Sequence, residues 1–167
     1  MGHRALVAVE TRPGRYACYR SQWGGRALGE RSRSPESVVS AAVAERGDDG
    51  SALAVLDALD PRDHEALFVA RLDGDVEQFL VIWLGLVLAD GVVAPGSSVP
   101  VEGAALVPVA DRAVARRLAT WLRVAKDVLG DAVDAGALSP AAAALALREL
   151  LARHPEVPPE TLWLAGE

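Results

Sequence analysis

The chain of 167 residues is about half apolar, which is enough to bury the core of one compact domain. Its single cysteine excludes an internal disulfide framework and suits a reducing compartment, and no apolar run is long enough to cross a bilayer. We therefore expect a cytoplasmic, single-domain protein without membrane attachment. Residues 1–110 would form its sheet region and residues 111–167 its helical part.

Charge is unevenly distributed along the chain. Sixteen arginines, one lysine and 23 acidic residues give a net charge of −6, yet residues 1–33 carry a surplus of five positive charges. A second basic stretch, residues 112–126, holds five cations and no acid. This asymmetry indicates a surface suited to an anionic partner.

The first predicted element is a β-hairpin. Two apolar runs, residues 4–10 and 16–23, flank the pair Pro13-Gly14, which is typical of a tight turn.

A helix is predicted after this hairpin. Ser34 would cap it and Pro35 would occupy its first position, where a missing N–H is tolerated, and Gly47 would end it. Residues 52–59 fit a strand or a short helix equally well.

A second hairpin is predicted from residues 65–72 and 76–88, around the turn Asp73-Gly74-Asp75. Its second strand is apolar on both faces and must be covered by helices or by a partner subunit, so we expect a homo-oligomer.

The two hairpin segments also resemble each other. Residues 3–25 align with residues 64–86 when one extra residue is allowed in the first turn, and this places Ala5 on Ala66 and Trp23 on Trp83. The match predicts a core built from two related hairpins.

Helices dominate the rest of the chain, after a short strand near residues 105–109. Asp111 caps the first helix, which has apolar residues at helical spacing that include Val128, and Gly130 is a candidate stop. Ser139 and Pro140 begin the last helix, which ends near Arg153. Its predicted inward residues are Leu147, Leu150 and Leu151, and the tail could dock through Leu162 and Trp163.

These elements predict an α+β fold: an antiparallel sheet of two related β-hairpins, each followed by a helix, plus a C-terminal helix.

Three segments of the chain resemble a family of haloarchaeal proteins whose function is unknown. They are the opening MGHRALVAVE, the Tyr-x-x-Tyr-x-x-x-Trp-Gly-Gly pattern of residues 16–25, and the His-Glu-Ala segment with its Trp-x-Gly at residues 64–85. The resemblance covers the first half of the chain well and the helical part poorly. It implies membership but no activity, and Gln22 stands where the family pattern has histidine.

The leading functional hypothesis is non-enzymatic binding of nucleic acid or another phosphate-bearing partner. Alternate residues of a strand share a face, so Tyr16, Arg20 and Gln22 would lie together beside the arginines of the turn. Guanidinium groups form bidentate hydrogen bonds with phosphates, and aromatic rings stack on bases. The same arginines could instead pair with the 23 acids or solvate the surface. The predicted contact residues are Arg12, Arg15, Tyr16, Arg20, Gln22 and Arg26, with Arg112 and Arg116 on a second wall.

A small metal-dependent or acid–base hydrolase is the alternative, using His3, Asp63 and His64. Histidine and carboxylate suit zinc, manganese or general-base chemistry. The spacing matches no established ligand pattern, however, and a histidine that opens a strand can simply pack or hydrogen-bond locally. A third hypothesis is a structural homo-oligomeric subunit. No phosphate-binding loop or dinucleotide fingerprint occurs, and no cofactor is predicted.

Overall fold

The computed structural model describes residues 4–22, 50–88, 91–92 and 103–164 of the chain. Within these ranges the chain forms eight strands and three helices. The strands are β1 (Ala5–Arg12), β2 (Arg15–Ser21), β3 (Ala66–Ala70), β4 (Val76–Trp83), β5 (Val87–Leu88), β6 (Gly91–Val92), β7 (Ala104–Pro108) and β8 (Leu162–Leu164). The helices are α1 (Ala52–Asp57), α2 (Arg112–Asp134) and α3 (Pro140–Ala152). The helix predicted after Ser34 lies outside the described residues.

The fold is α+β, with a mixed sheet. Six strands lie in the order β2-β1-β3-β4-β7-β8, and β5 and β6 form a separate two-stranded sheet. The prediction of an antiparallel sheet is wrong at one pairing, because β1 and β3 run parallel, with Ala5 beside Ala66 and Leu6 beside Leu67. Parallel neighbours need a long crossover connection, and residues 22–65 are long enough to supply one.

This parallel pairing brings together the residues that the alignment of the two hairpin segments had matched. The extra residue that the alignment required also coincides with a shift of register between Glu10 and Arg12. The common origin of the hairpins stays a prediction, because neighbouring strands can share a register without it.

The chain divides into two compact units. One comprises residues 1–81 with 108–115, and the other residues 82–107 with 116–167. The prediction of a single domain stays a prediction. Almost fully buried side chains in the first unit are Leu6, Val7, Leu67 and Phe68, and in the second they are Ile82, Leu106, Leu118, Leu147 and Leu151.

Both turns of the first unit lie where the sequence predicts them. In the first hairpin β1 and β2 pair antiparallel around Pro13-Gly14, and Gly14 has a φ of 70°, in the left-handed region that glycine adopts at little cost. In the second hairpin Gly74 has a φ of 95°, and the side chain of Asp73 accepts the N–H of Asp75 at 3.1 Å.

The last strand of the second hairpin is shorter than predicted, ending at Trp83 rather than Leu88. Leu80, Val81, Ile82 and Leu84 are buried within the chain itself. A partner subunit is therefore not needed to cover these side chains, and the homo-oligomer stays a prediction.

Helices α2 and α3 begin where their caps predict. The side chain of Asp111 accepts the N–H of Ala113 at 2.6 Å, and that of Ser139 accepts the N–H of Ala142 at 3.2 Å. Helix α2 continues through Gly130 to Asp134, so the predicted stop is wrong. Gly130 is buried within the helix.

Two apolar residues of these helices face outward, against prediction. Val128 is 61% exposed and Leu150 is 48% exposed, because each lies about 100° around its helix from a buried neighbour, Leu129 or Leu151. Residues 52–57 are the helix α1, capped by Ser51. The tail forms the strand β8, which pairs antiparallel with β7. None of the helices in the described part of the chain is long and apolar enough to span a membrane.

Candidate functional site

The tip of the first hairpin, residues 11–15, is exposed along its whole length. Arg12 and Arg15 flank the turn and are direct cross-strand partners. Like charges in this position repel each other and destabilise a hairpin. The shift of register just before Arg12 is an irregularity of the kind that re-aims side chains and often lies beside functional sites. We call this segment the basic tip.

Glu10 anchors the basic tip through hydrogen bonds to the backbone. One carboxylate oxygen accepts the N–H of Gly14 at 2.9 Å, and the other accepts the N–H of Leu72 at 3.2 Å. These two hydrogen bonds, first that from Gly14 and then that from Leu72, lower the pKa of Glu10. The nearby positive charge that favours its ionised form is Arg71 of the second hairpin. Glu10 thus holds both turns through their backbone N–H groups.

The structure separates Arg20 from the basic tip. Five residues of extended strand place it about 17 Å from Arg15, and strand alternation places it on the opposite face of β2. Its charge instead acts on the imidazole of His64. Arg20 and Gln22 are both exposed.

Tyr16 shares a face with Arg20, as predicted, but only 8% of it is exposed. Its backbone exchanges two hydrogen bonds with Gly50, at 2.7 and 2.9 Å. Such a buried ring offers little surface for stacking on a base. The structure therefore brings Arg12 and Arg15 together, whereas the ring of Tyr16, which was predicted to stack beside them, is buried.

The remaining predicted contact residues lie elsewhere. Arg112 and Arg116 are exposed in the first two turns of α2, and Arg117, next to them, pairs with Glu156. Arg26 lies outside the described residues.

The residues of the predicted hydrolase site have structural partners. His64 is 5% exposed, and its Nδ1 accepts the N–H of Asp60 at 3.0 Å. Burial, followed by the charge of Arg20, lowers its pKa. Asp63 forms an ion pair with Arg4 at 2.6 Å. His3 lies outside the described residues, and those residues contain no cluster of three or more histidine, cysteine or acidic side chains that could hold a metal ion.

One contributor to the basic tip was not predicted from the sequence. The sequence does not single out Glu10, because an acidic residue shortly before a turn glycine is a common pattern. That pattern does not indicate a hydrogen bond to Leu72, far away in the sequence.

Comparison with known proteins gives one match. Residues 47–162 match the model of a family of unknown function, DUF6735. The matched range includes the helical part that the resemblance covered poorly, and it leaves out the first hairpin. No curated protein and no solved structure matches the chain.

Proposed function

The chain belongs to DUF6735, a family of unknown function, and we propose that it binds duplex nucleic acid through the basic tip. The first hairpin lies outside the residues matched to the family, so the proposal concerns this chain's own residues and not a family property.

The observation that carries the proposal is the direct pairing of Arg12 with Arg15 in an exposed tip. Repulsion between the two guanidinium groups works against the hairpin. Two phosphates would offset this repulsion, because guanidinium groups bind phosphate with paired hydrogen bonds, and binding also gains from the release of counterions.

The shape of the tip favours a duplex over a single strand. A two-stranded β-ribbon fits the major groove of B-DNA. Proteins that grip a single strand depend on exposed aromatic rings, whereas Tyr16 is 8% exposed. The contacts would be made to the phosphate backbone and would carry little sequence preference.

The test is fluorescence anisotropy with a labelled duplex and the matching single strand, over a series of potassium chloride concentrations. The variant is Arg12→Gln with Arg15→Gln, and the control is Arg62→Gln with Arg153→Gln, which removes the same charge from other surfaces. We expect the tip variant to weaken duplex binding roughly tenfold or more and to reduce the slope of log K against log salt by about two.

The control should bind as the unchanged protein does. An equal loss of duplex affinity in both variants would mean that only net charge matters. Unchanged affinity in the tip variant would show that the basic tip is not the binding site. Tighter binding of the single strand would contradict the preference for a duplex.

A further inference from the structure

The charges of α2 change sign along the helix. All its cations lie between residues 112 and 126, and its acids follow, at Asp127, Asp131 and Asp134. An α-helix has partial positive charge at its N-terminus and partial negative charge at its C-terminus, so acids favour its start and cations its end. The order in α2 is the reverse, and the stability of the helix by itself does not account for it.

Four of these charged residues lie along one line of the helix. Arg116 and Arg123 are seven residues apart, and Asp127 and Asp134 have the same spacing, which returns to nearly the same face. Asp127 follows Arg123 by four residues, which is close to one turn. The line therefore reads positive, positive, negative, negative, and all four residues are exposed. We call it the charge line.

An apolar patch lies beside the charge line. Val124 is 55% exposed, and Val128, one turn further along the helix, is 61% exposed. Valine is a weak helix former, so its presence at exposed helix positions has no local advantage. Exposed apolar residues bordered by charged ones match the usual anatomy of a protein interface, which has an apolar centre and a polar rim.

A second copy of α2, packed antiparallel, complements both features. If a two-fold axis passes close to Ala125, Arg123 of each copy lies opposite Asp127 of the other. Arg116 and Asp134, nine residues to either side of Ala125, form an outer pair in the same way. The valines of both copies meet near the axis, and the helix dipoles run in opposite directions, which is favourable for neighbouring helices.

A nucleic acid fits this surface less well than a second copy does. Arg116 and Arg123 would attract phosphates, but Asp127 and Asp134 lie on the same line and repel them. Only a partner with both signs of charge, in the opposite order, matches the whole line. The antiparallel copy has this order by symmetry.

We propose that the exposed face of α2 is the interface of a homodimer, in which two copies of the helix pack antiparallel around Val124 and Val128. This contact does not use β4, whose apolar side chains are buried within the chain. It also lies apart from the basic tip in sequence and shares no residue with it.

The test is sedimentation velocity of the full chain over a range of concentrations. The variants are Arg123→Asp and Asp127→Arg, each of which sets like charges opposite each other twice in the dimer. We expect each to raise the dissociation constant of the dimer about tenfold or more, because like charges placed across an interface oppose association. A mixture of the two variants should associate about as tightly as the unchanged protein, since one copy is then acidic and the other basic at both positions.

The matched controls are Arg153→Asp and Glu160→Arg, which make the same charge changes at exposed positions outside α2. Both should dimerise as the unchanged protein does. A chain that stays monomeric at every concentration would overturn the proposal, and so would a dimer that neither reversal weakens. A mixture that fails to associate would contradict the pairing of Arg123 with Asp127. Loss of duplex binding on Arg123→Asp in a monomeric chain would assign this face to nucleic acid instead.

Discussion

The two hairpins of the first unit share one framework and differ in the charges at their tips. Their first strands pair in parallel register, and each turn has a glycine with positive φ. The second hairpin brings opposite charges together, with Arg71 donating to Glu77 at 3.0 Å. The first sets Arg12 directly against Arg15. The same kind of hairpin therefore forms with acidic residues around its turn, at Asp73 and Asp75, and does not require a basic tip.

Glu10 joins the two hairpins, although the charges at their tips differ. It belongs to the first hairpin, yet it accepts one N–H from each turn. The positive charge that favours its ionised form is in the second hairpin, at Arg71. These two hydrogen bonds, which we call the Glu10 clamp, stabilise the turn of the basic tip through its backbone.

The largest expected effect tests the shared framework. Leu6 and Leu67 are neighbours in the parallel pairing, and each is 2% exposed or less. Replacing either by alanine should lower the free energy of unfolding by about 3 kcal/mol, because each change leaves a cavity in the same core. Urea denaturation of the two variants measures this. A clearly smaller loss at one position, below about 1 kcal/mol, would show that the hairpins do not share a core.

A smaller effect is expected from Glu10→Gln, which keeps the shape but weakens the clamp on both turns. The pKa of Glu10 is lowered in the folded protein, so its stabilisation is complete above the ordinary value of 4.5 and is lost as pH falls through the lowered one. The unchanged protein should be the more stable at pH 7, and the difference should vanish in acid.

Urea denaturation from pH 7 to pH 3 measures this difference, and Glu160→Gln is the control for the loss of one exposed negative charge. A difference between the unchanged protein and Glu10→Gln that persists undiminished in acid would mean that the carboxylate is not the clamp.

The hairpins could be predicted from sequence because their determinants are local. Alternating apolar residues mark the strands, and Pro13-Gly14 and Asp73-Gly74-Asp75 mark the turns. The helix caps at Asp111 and Ser139 were predictable for the same reason.

What escaped prediction depends on contacts between distant parts of the chain. The parallel pairing of β1 with β3 spans the connection of residues 22–65, and nothing in either strand specifies which neighbour it takes. The bonds of Glu10 to Leu72 and of Lys126 to Trp83 likewise join residues far apart in sequence. Tyr16 is buried, and its backbone pairs with Gly50, a contact that no local sequence pattern indicates.

The most direct test of the difference between the two tips is an amide NMR titration of the protein with a short DNA duplex. We expect the signals of residues 11–15, in the basic tip, to shift with increasing duplex, and those of the second turn, Asp73-Gly74-Asp75, to stay unchanged. Equal shifts at both turns, or shifts confined to residues away from the basic tip, would contradict this expectation.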